Sequence, residues 1–438
     1  MVKFKTIILI LGDVFLLYAS LILALIFRYG FANLKSSFST HLGQFSLIFI
    51  VWIIIFYLAD LYQLRTLKRG IRLMRILIIS VILGVAVSII FFYLFSDFFK
   101  LTPKTNLAIF SVIFGILDFV FRLLIIKSGY ARTKIAAIGD SPAIKEIISY
   151  LKSNPQIGYE LSFLTKENLN KENLKKLEHL ATAQKLDAIL IPPHLLKQDA
   201  DMIKFIYRLL PLKIEIFDSL NFYEMIFQKA PLEEIKEGWF IEKITTRRNA
   251  YDFAKRILDI FLSFILGIIL LPLMAIIAIA VKLNSKGPAI FKHKRAGLNN
   301  KPFILSKFRI MVVEHSGLPW TLKDDDRLTF VGKILHYTHL NEIPQLWNIL
   351  KGDISFIGPR PESVELAEKF AKLPYYEMRH IIKPGLTGWA QVNFRPSASM
   401  EEAKEKLSYD IYYVKNRSFI LDFLILLKTI RHLFLGQK

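Results

Sequence analysis

Cysteine is absent from all 438 residues. That removes disulfides, thiolate metal sites and cysteine nucleophiles at once. Acids are scarce: 37 Asp+Glu stand against 58 Lys+Arg, a formal net charge of +21. Such a balance calls for an anionic partner, whether nucleic acid, a phospholipid surface or phosphorylated substrates. Polar stretches are short as well. With 53% hydrophobic residues and 36 Phe, the chain is no disordered segment and is too apolar for an ordinary soluble enzyme. The apolar content decides among the anions in favour of a membrane.

Four apolar runs fill the first 127 residues: Thr6–Phe27, Phe45–Leu64, Leu73–Phe95 and Thr105–Ile126. Each reaches the roughly 20 residues that a helix needs to cross a bilayer core. The first has no small-residue cleavage site, so it reads as a span and not as a signal peptide. Asp13 and Asp118 fall inside spans, where a carboxylate is costly and is expected to face another helix. Neither of those two spans holds a second acid, which argues against a proton relay, and a channel or transporter would need more spans and more polar residues at the bilayer midplane. Cations sit at the N-terminus (Lys3, Lys5), after the second span (Arg65, Lys68, Arg69, Arg72, Arg75) and after the fourth (Lys127, Arg132, Lys134). The positive-inside bias then places the N-terminus and everything after residue 127 in the cytoplasm.

A fifth apolar stretch, Ile257–Val281, is flanked by Lys255 and Arg256 on one side and by Lys282, Lys286, Lys292, Lys294 and Arg295 on the other. Crossing would carry a basic domain of about 150 residues outward, against that bias. Pro272 near the middle removes a helical hydrogen bond and bends the segment. The expectation is a re-entrant helix that enters one leaflet, breaks at Pro272 and returns; hydropathy alone would also permit a plain kinked span.

Between these apolar regions, short apolar runs alternate with charged helical stretches. Thr133–Gly139, Tyr159–Leu164, Asp187–Pro193 and Lys213–Phe217 read as strands. Pro142–Ser153, Lys166–Gln184 and Gln198–Leu210 read as helices. The alternation predicts a parallel sheet with crossover helices. A dinucleotide-binding turn wants three glycines, whereas Gly139-Asp140-Ser141-Pro142 supplies only the first. A structural or regulatory Rossmann-like module follows, and a membrane-anchored nucleotide-sugar dehydratase or epimerase becomes the rival reading. Tyr251 and Lys255 have the spacing of that rival's base pair but lie at the membrane entry point. The fold class expected is a membrane α-helical bundle of four spans (1–128), a Rossmann-like α/β module (129–245) and an α+β domain with a re-entrant helix (246–438).

The last domain is dense in phosphate chemistry. Lys307 and Arg309, two apart on an extended segment, are expected on one face, where two cations suit a diphosphate. A solvated basic face is the plainer alternative. Asp324-Asp325-Asp326-Arg327 gathers acids able to hold Mg²⁺ with substrate phosphates, or simply forms a solvated loop. In Leu340-Asn341-Glu342-Ile343-Pro344-Gln345, Asn341 is a good helix cap, so Glu342 would sit at a helix N-terminus. Arg360, held between Pro359 and Pro361, is presented with little entropy to lose. Gln391 and Arg395 lie in a turn-and-strand segment, Thr387–Arg395, that offers amide, aromatic and guanidinium groups. The terminal run Phe419–Leu435 is apolar on one side and is expected on the membrane surface.

The order of these motifs (Lys307-Phe308-Arg309, Asp325 with Arg327, Leu340–Gln345, Gly358–Pro361, Pro384–Gln391 and Asp410–Tyr413) resembles the bacterial sugar-transferase family, the polyprenyl-phosphate hexose-1-phosphate transferases. The resemblance covers about residues 250–438, and the preceding regions look like the family's large format. It implies a monotopic phosphoglycosyl transferase of the bacterial inner membrane, with its soluble parts on the cytoplasmic side. Such an enzyme moves a hexose-1-phosphate from a UDP-sugar to undecaprenyl phosphate, releases UMP and requires Mg²⁺. The basic charge then serves these phosphates and the bilayer, no nucleic acid is needed, and a homo-oligomer stays open.

In the family an Asp-Glu dyad acts, the Asp forming a covalent phosphosugar intermediate and the Glu helping to hold the metal. The resemblance makes Glu342 and position 341 catalytic, gives Lys307, Arg309, Arg327 and Arg360 to substrate phosphate, Gln391 and Arg395 to the nucleotide, and Glu342 with Asp325 to the metal. Here Asn341 stands where the Asp is expected, His336 where an Arg is usual and His339 where a Ser is usual. A neutral amide is a poor nucleophile. Direct transfer, another carboxylate, an inactive form and a non-catalytic binding module all accommodate Asn341 at this stage.

Overall fold

The computed structural model describes residues 2–59, 61–62, 70–94, 104–127, 133–165, 171–183, 186–198, 200–212, 214–244, 248–312, 327–394 and 399–435. The chain forms two compact units, Met1–Ile226 and Phe227–Lys438.

The first unit holds four apolar helices: α1 (Val2–Tyr29), α2 (Leu34–Leu58), α3 (Gly70–Leu94) and α4 (Lys104–Lys127). All four are long and apolar enough to cross a membrane. The second begins at Leu34 and not at Phe45, because the more polar turns around His41 continue the helix; His41 is buried and meets Asn106 Nδ2 at 2.8 Å. Asp13 and Asp118 do face other helices. Both are fully buried against Arg122, whose Nη2 lies 2.8 Å from Asp13 and whose Nε lies 2.9 Å from Asp118. A third donor, Arg122 Nη1, reaches the Leu61 carbonyl at 2.8 Å. One guanidinium therefore compensates two carboxylates that an apolar interior would otherwise expel.

A four-stranded parallel sheet follows in the same unit, in the order β2-β1-β3-β4, with β1 Thr133–Ile138, β2 Tyr159–Thr165, β3 Ala188–Ile191 and β4 Glu215–Asp218. The helix expected over 198–210 is Ala200–Leu209, and a further short helix, Pro193–Gln198, precedes it. Gly139 leaves β1 at φ 112°, and the Ser141 side chain caps the helix Pro142–Ser153 by accepting from Ile144 N–H. The lone glycine thus makes the turn, and the serine satisfies a helix end.

The second unit is organised on a 36-residue helix, Asn249–Asn284, here α5. Pro272 lies inside it and ends nothing: the helix is assigned unbroken through the proline, because loss of one N–H donor need not stop a helix held from outside. That outside hold runs nearly its whole length. Tyr251 OH and Lys255 Nζ meet Asp422 Oδ2 at 2.6 and 2.8 Å. Arg256 donates to the Ile349 and Leu350 carbonyls at 2.6 and 2.7 Å, closing the C-terminus of another helix. Asp259 Oδ1 accepts from Ser355 Oγ and Phe356 N–H, both at 3.1 Å. Leu270, Leu273, Met274, Ile277 and Val281 then pack on the domain's hydrophobic clusters. The opposite face is apolar and open, with Ile257, Phe261, Phe264, Ile268, Leu271, Ile276 and Leu283 all exposed. Tyr251 and Lys255 are accordingly parts of a polar anchor that includes Tyr413 and Asp422.

Two small sheets complete the unit: an antiparallel hairpin of β5 (Ile290–Ala296) and β6 (Pro302–Phe308), and a parallel pair of β7 (Ser355–Ile357) and β8 (Gly385–Thr387). The last helix, Phe419–Leu435, packs beside β7 and β8 through buried Ile425, while Ile420, Phe423 and Leu433 point outward.

Candidate active site

Direct opposition in the hairpin register sets which side chains converge. Phe291 pairs with Lys307, His293 with Leu305 and Arg295 with Phe303. Residues opposite each other share a face, so Arg295 and Lys307 emerge on the same side. Facing them is the turn Leu340–Glu342, entered through His339 in the left-handed region (φ 57°). Lys307 Nζ reaches Glu342 Oε1 at 2.6 Å. Arg360 Nη2 reaches the same oxygen at 3.1 Å, leaving Oε2 as the carboxylate oxygen able to face a further cation.

Arg360 is positioned by backbone as well as by its prolines. Gly358 N–H donates to the Thr387 carbonyl and Gly385 N–H to the Pro359 carbonyl, both at 2.9 Å. An added Cβ on Gly385 would sit 2.0 Å from Gly358 N, and one on Gly388 would sit 2.1 Å from Gly358 O. Only glycine permits that approach. From behind, buried Arg379 donates to the Arg360 carbonyl at 2.8 Å and pairs with Asp410 at 2.8 Å.

The resulting cleft is lined by Arg295, Lys307, Gln345 and Arg360, with Leu305, Pro361 and Gly385. Burial pushes the Glu342 carboxyl up, but the Arg360 and Lys307 charges together outweigh it and hold it well below the usual carboxylate range. Burial drives the Lys307 amine down to about 8, with Glu342 resisting the fall. Burial, then His339, lowers His336, which lies within electrostatic reach of Glu342, Lys307 and Arg360. Two amides next to the charges are nearly buried with an atom left over. Among the described residues Asn341 Oδ1 and Gln345 Nε2 have no hydrogen-bond partner.

Glu342, Lys307 and Arg360 are thus brought together, with Asn341 adjacent. Asn341 is not a helix cap, since it sits within the short turn and the following helix, Gln345–Lys351, begins after Pro344. Arg309 does not join them. The strand ends at Phe308, and the Arg309 guanidinium donates to the Ser285 and Lys286 carbonyls, both at 2.8 Å, fixing the exit of α5. Arg327 is held through its carbonyl, which accepts from Val312 N–H at 3.0 Å. Gln391 donates from Nε2 to the Leu386 carbonyl at 3.3 Å, behind the cleft-lining Gly385. Asp325 and Arg395 lie outside the described residues. Arg295 and Gln345 are the cleft residues that sequence reasoning missed. A register count along the hairpin would have found Arg295; Gln345 closes the Leu340–Gln345 motif but was given no role of its own.

No group of three or more His, Asp or Glu converges on a metal position among the described residues. Mg²⁺ is commonly held by one or two carboxylates with substrate phosphates and water. Glu342 Oε2 therefore suits a Mg²⁺ that arrives with a diphosphate and is completed by it.

A family model described as "Bacterial sugar transferase" matches residues 250–436. The UDP-N-acetylgalactosamine-undecaprenyl-phosphate N-acetylgalactosaminephosphotransferase of Aeromonas hydrophila is 41% identical over 189 residues, which span 42% of this chain and 45% of that protein. The UDP-glucose:undecaprenyl-phosphate glucose-1-phosphate transferase of Klebsiella pneumoniae is 29% identical over 326 residues, 71% of this chain and 70% of the relative. The protein of that name from Caulobacter vibrioides is 37% identical over 188 residues, 42% of this chain and 70% of the relative. With a cation-lined cleft carried on the family's matched region, the chain belongs to the bacterial sugar transferase family.

Proposed function

We propose that the chain transfers a sugar-1-phosphate from a UDP-sugar to undecaprenyl phosphate and releases UMP, the first membrane step of exopolysaccharide, capsule or O-antigen assembly. The observation that carries this reading is the pairing of an anion-binding cleft with a helix whose exposed residues are all apolar from Phe253 to Ile279. One substrate dissolves in water and the other is confined to a leaflet. A site that serves both must lie at the membrane face. The polar anchors of α5 at Tyr251–Asp259 and at Asn284–Lys286 all belong to one unit. Both ends of the helix then stay on one side of the bilayer, the cytoplasmic side, and the unbroken helix lies in the near leaflet without crossing it.

Lys307, Arg360 and Arg295 bind the donor diphosphate and neutralise the charge that moves onto UMP. Because the cluster is in place before substrate arrives, little reorganisation accompanies reaction. Glu342 orients Lys307 and Arg360 through one oxygen and offers the other to Mg²⁺. Bound there, Mg²⁺ would shield the diphosphate and stabilise the leaving phosphate. Arg327 is assigned to substrate phosphate, and Gln391 and Arg395 to the rest of the nucleotide. The parallel-sheet module has a structural or regulatory part. Purified full chain, incubated with undecaprenyl phosphate, Mg²⁺ and each of several UDP-sugars, is expected to release UMP with at least one of them. Arg360→Ala should abolish that release, and an unchanged rate in Arg360→Ala would refute the assignment of the cleft.

A further inference from the structure

We propose that residues 227–243 are a positioning strap for the cleft: gripping Trp389 at one end and Tyr375 at the other, they hold the two backbone supports of Arg360 and so set the affinity for the donor diphosphate. The proposal rests on the transferase reading above and concerns what keeps that cleft in shape.

The segment belongs to the second unit but precedes the residues that match the family model. It is irregular up to the helix Glu237–Lys243, yet Ala230, Leu232, Ile235, Trp239 and Phe240 are all buried. Irregular backbone stays buried only where its polar groups find partners, and here they do. Ala230 N–H donates to the Ser408 carbonyl at 2.9 Å, on the helix Met400–Asn416. The Gln228 carbonyl accepts from Trp389 Nε1 at 2.9 Å, and the Ile235 carbonyl from Tyr375 OH at 3.2 Å. Side chains tighten the grip. Lys229 pairs with Glu405 at 2.9 Å and Lys404 with Glu233 at 2.7 Å. Lys415 lies over the Trp239 ring at 4.9 Å, and the Phe240 and Tyr375 rings are 4.7 Å apart. Gln228 takes φ 54°, a left-handed conformation that is costly for a residue with a Cβ and persists only where its surroundings over-determine it.

The two residues gripped adjoin the supports of Arg360. Trp389 opens the short helix after Gly388, and the stretch 385–388 is the one whose backbone meets Gly358 and Pro359. Trp389 also stacks on Tyr412 and lies under Lys428, so the bond to Gln228 fixes a side chain that is already caged. At the other end Tyr375, itself left-handed at φ 61°, opens the turn Tyr376–His380. That turn carries Arg379, which donates to Tyr376 OH at 2.9 Å and to the Arg360 carbonyl at 2.8 Å. Arginine binds phosphate through directional contacts that weaken steeply with misalignment. Loosening either support moves the Arg360 guanidinium relative to Lys307 and costs diphosphate affinity.

The test uses full chain in lipid nanodiscs with Mg²⁺ and UDP as the probe, since UDP carries the diphosphate common to every UDP-sugar. Calorimetry reads both the Kd and the number of sites per chain. Phe240→Ala, outside the cleft lining, should raise the Kd about tenfold with the site number unchanged. Phe240→Tyr keeps the ring and should bind as wild type does. Tyr375→Phe drops only the hydroxyl that meets Ile235 and Glu237; it should raise the Kd about threefold and carries the test if Phe240→Ala does not fold. A merely structural strap would lower the site number at constant Kd, and that result overturns the proposal, as does an unchanged Kd in both variants. UDP binding with the expected shifts but no UMP release from any UDP-sugar would sink the transferase reading and leave the strap standing. A wild type that binds no UDP overturns both.

Discussion

Raising the pH from 7 to 10 moves two properties of this protein in opposite directions, and Lys307 is the reason. Its amine is held down to about 8 by burial, against the opposing pull of Glu342. In the unfolded chain the same amine ionises near the ordinary lysine value of about 10.4. Between those values the unfolded state binds more protons than the folded one, so stability rises with pH across the window. It is fully gained above the unfolded value and lost as pH falls through about 8. Phosphate binding runs the other way, since the ammonium is what attracts the diphosphate. One pH unit above the folded value leaves about a tenth of the amines charged, which weakens UDP-sugar binding roughly tenfold at pH 9. Calorimetric titration of UDP-glucose into the full chain from pH 7 to 10, alongside thermal unfolding in the same buffers, reads both trends. Lys307→Arg keeps its charge throughout and should flatten the binding limb. An identical limb in Lys307→Arg, or no limb in wild type, would refute the role given to this amine.

Two other perturbations separate structural cations from functional ones. Arg309→Ala removes a buried guanidinium that joins three acceptors at Ser285 and Lys286; thermal unfolding should show a loss of about 3 kcal/mol, with UDP-sugar affinity in the folded fraction unchanged. Arg122→Met strands Asp13 and Asp118 in the bundle and should cost about 3–5 kcal/mol, most of it regained when both acids are also changed to Asn; detergent melting curves of the single and triple variants decide this.

Much of the architecture was legible because hydrophobic period and length are local properties. The four apolar helices, the alternation behind the parallel sheet and the long fifth helix all follow from runs of neighbours. So did the trio Lys307, Glu342 and Arg360, each tied to a short motif. What the sequence withheld depended on contacts between distant residues. Arg122 answers Asp13 from 109 positions away, and nothing near either residue announces the other. Lys307 and Arg309 look equivalent until the strand ends between them and one guanidinium turns to the exit of α5. Arg295 joins the cleft only through the register of its hairpin. Pro272 advertises a break that the packing of Leu270, Leu273 and Met274 on the domain does not let happen.

The central claim is that α5 begins and ends on one side of the bilayer, keeping the cleft beside a lipid acceptor. The chain has no native cysteine, so Ile241→Cys and Lys286→Cys, both exposed positions flanking α5, report their side directly. A membrane-impermeant maleimide should label neither in intact spheroplasts and both after the membrane is opened. Labelling of Lys286→Cys in intact spheroplasts, with Ile241→Cys protected, would contradict the account.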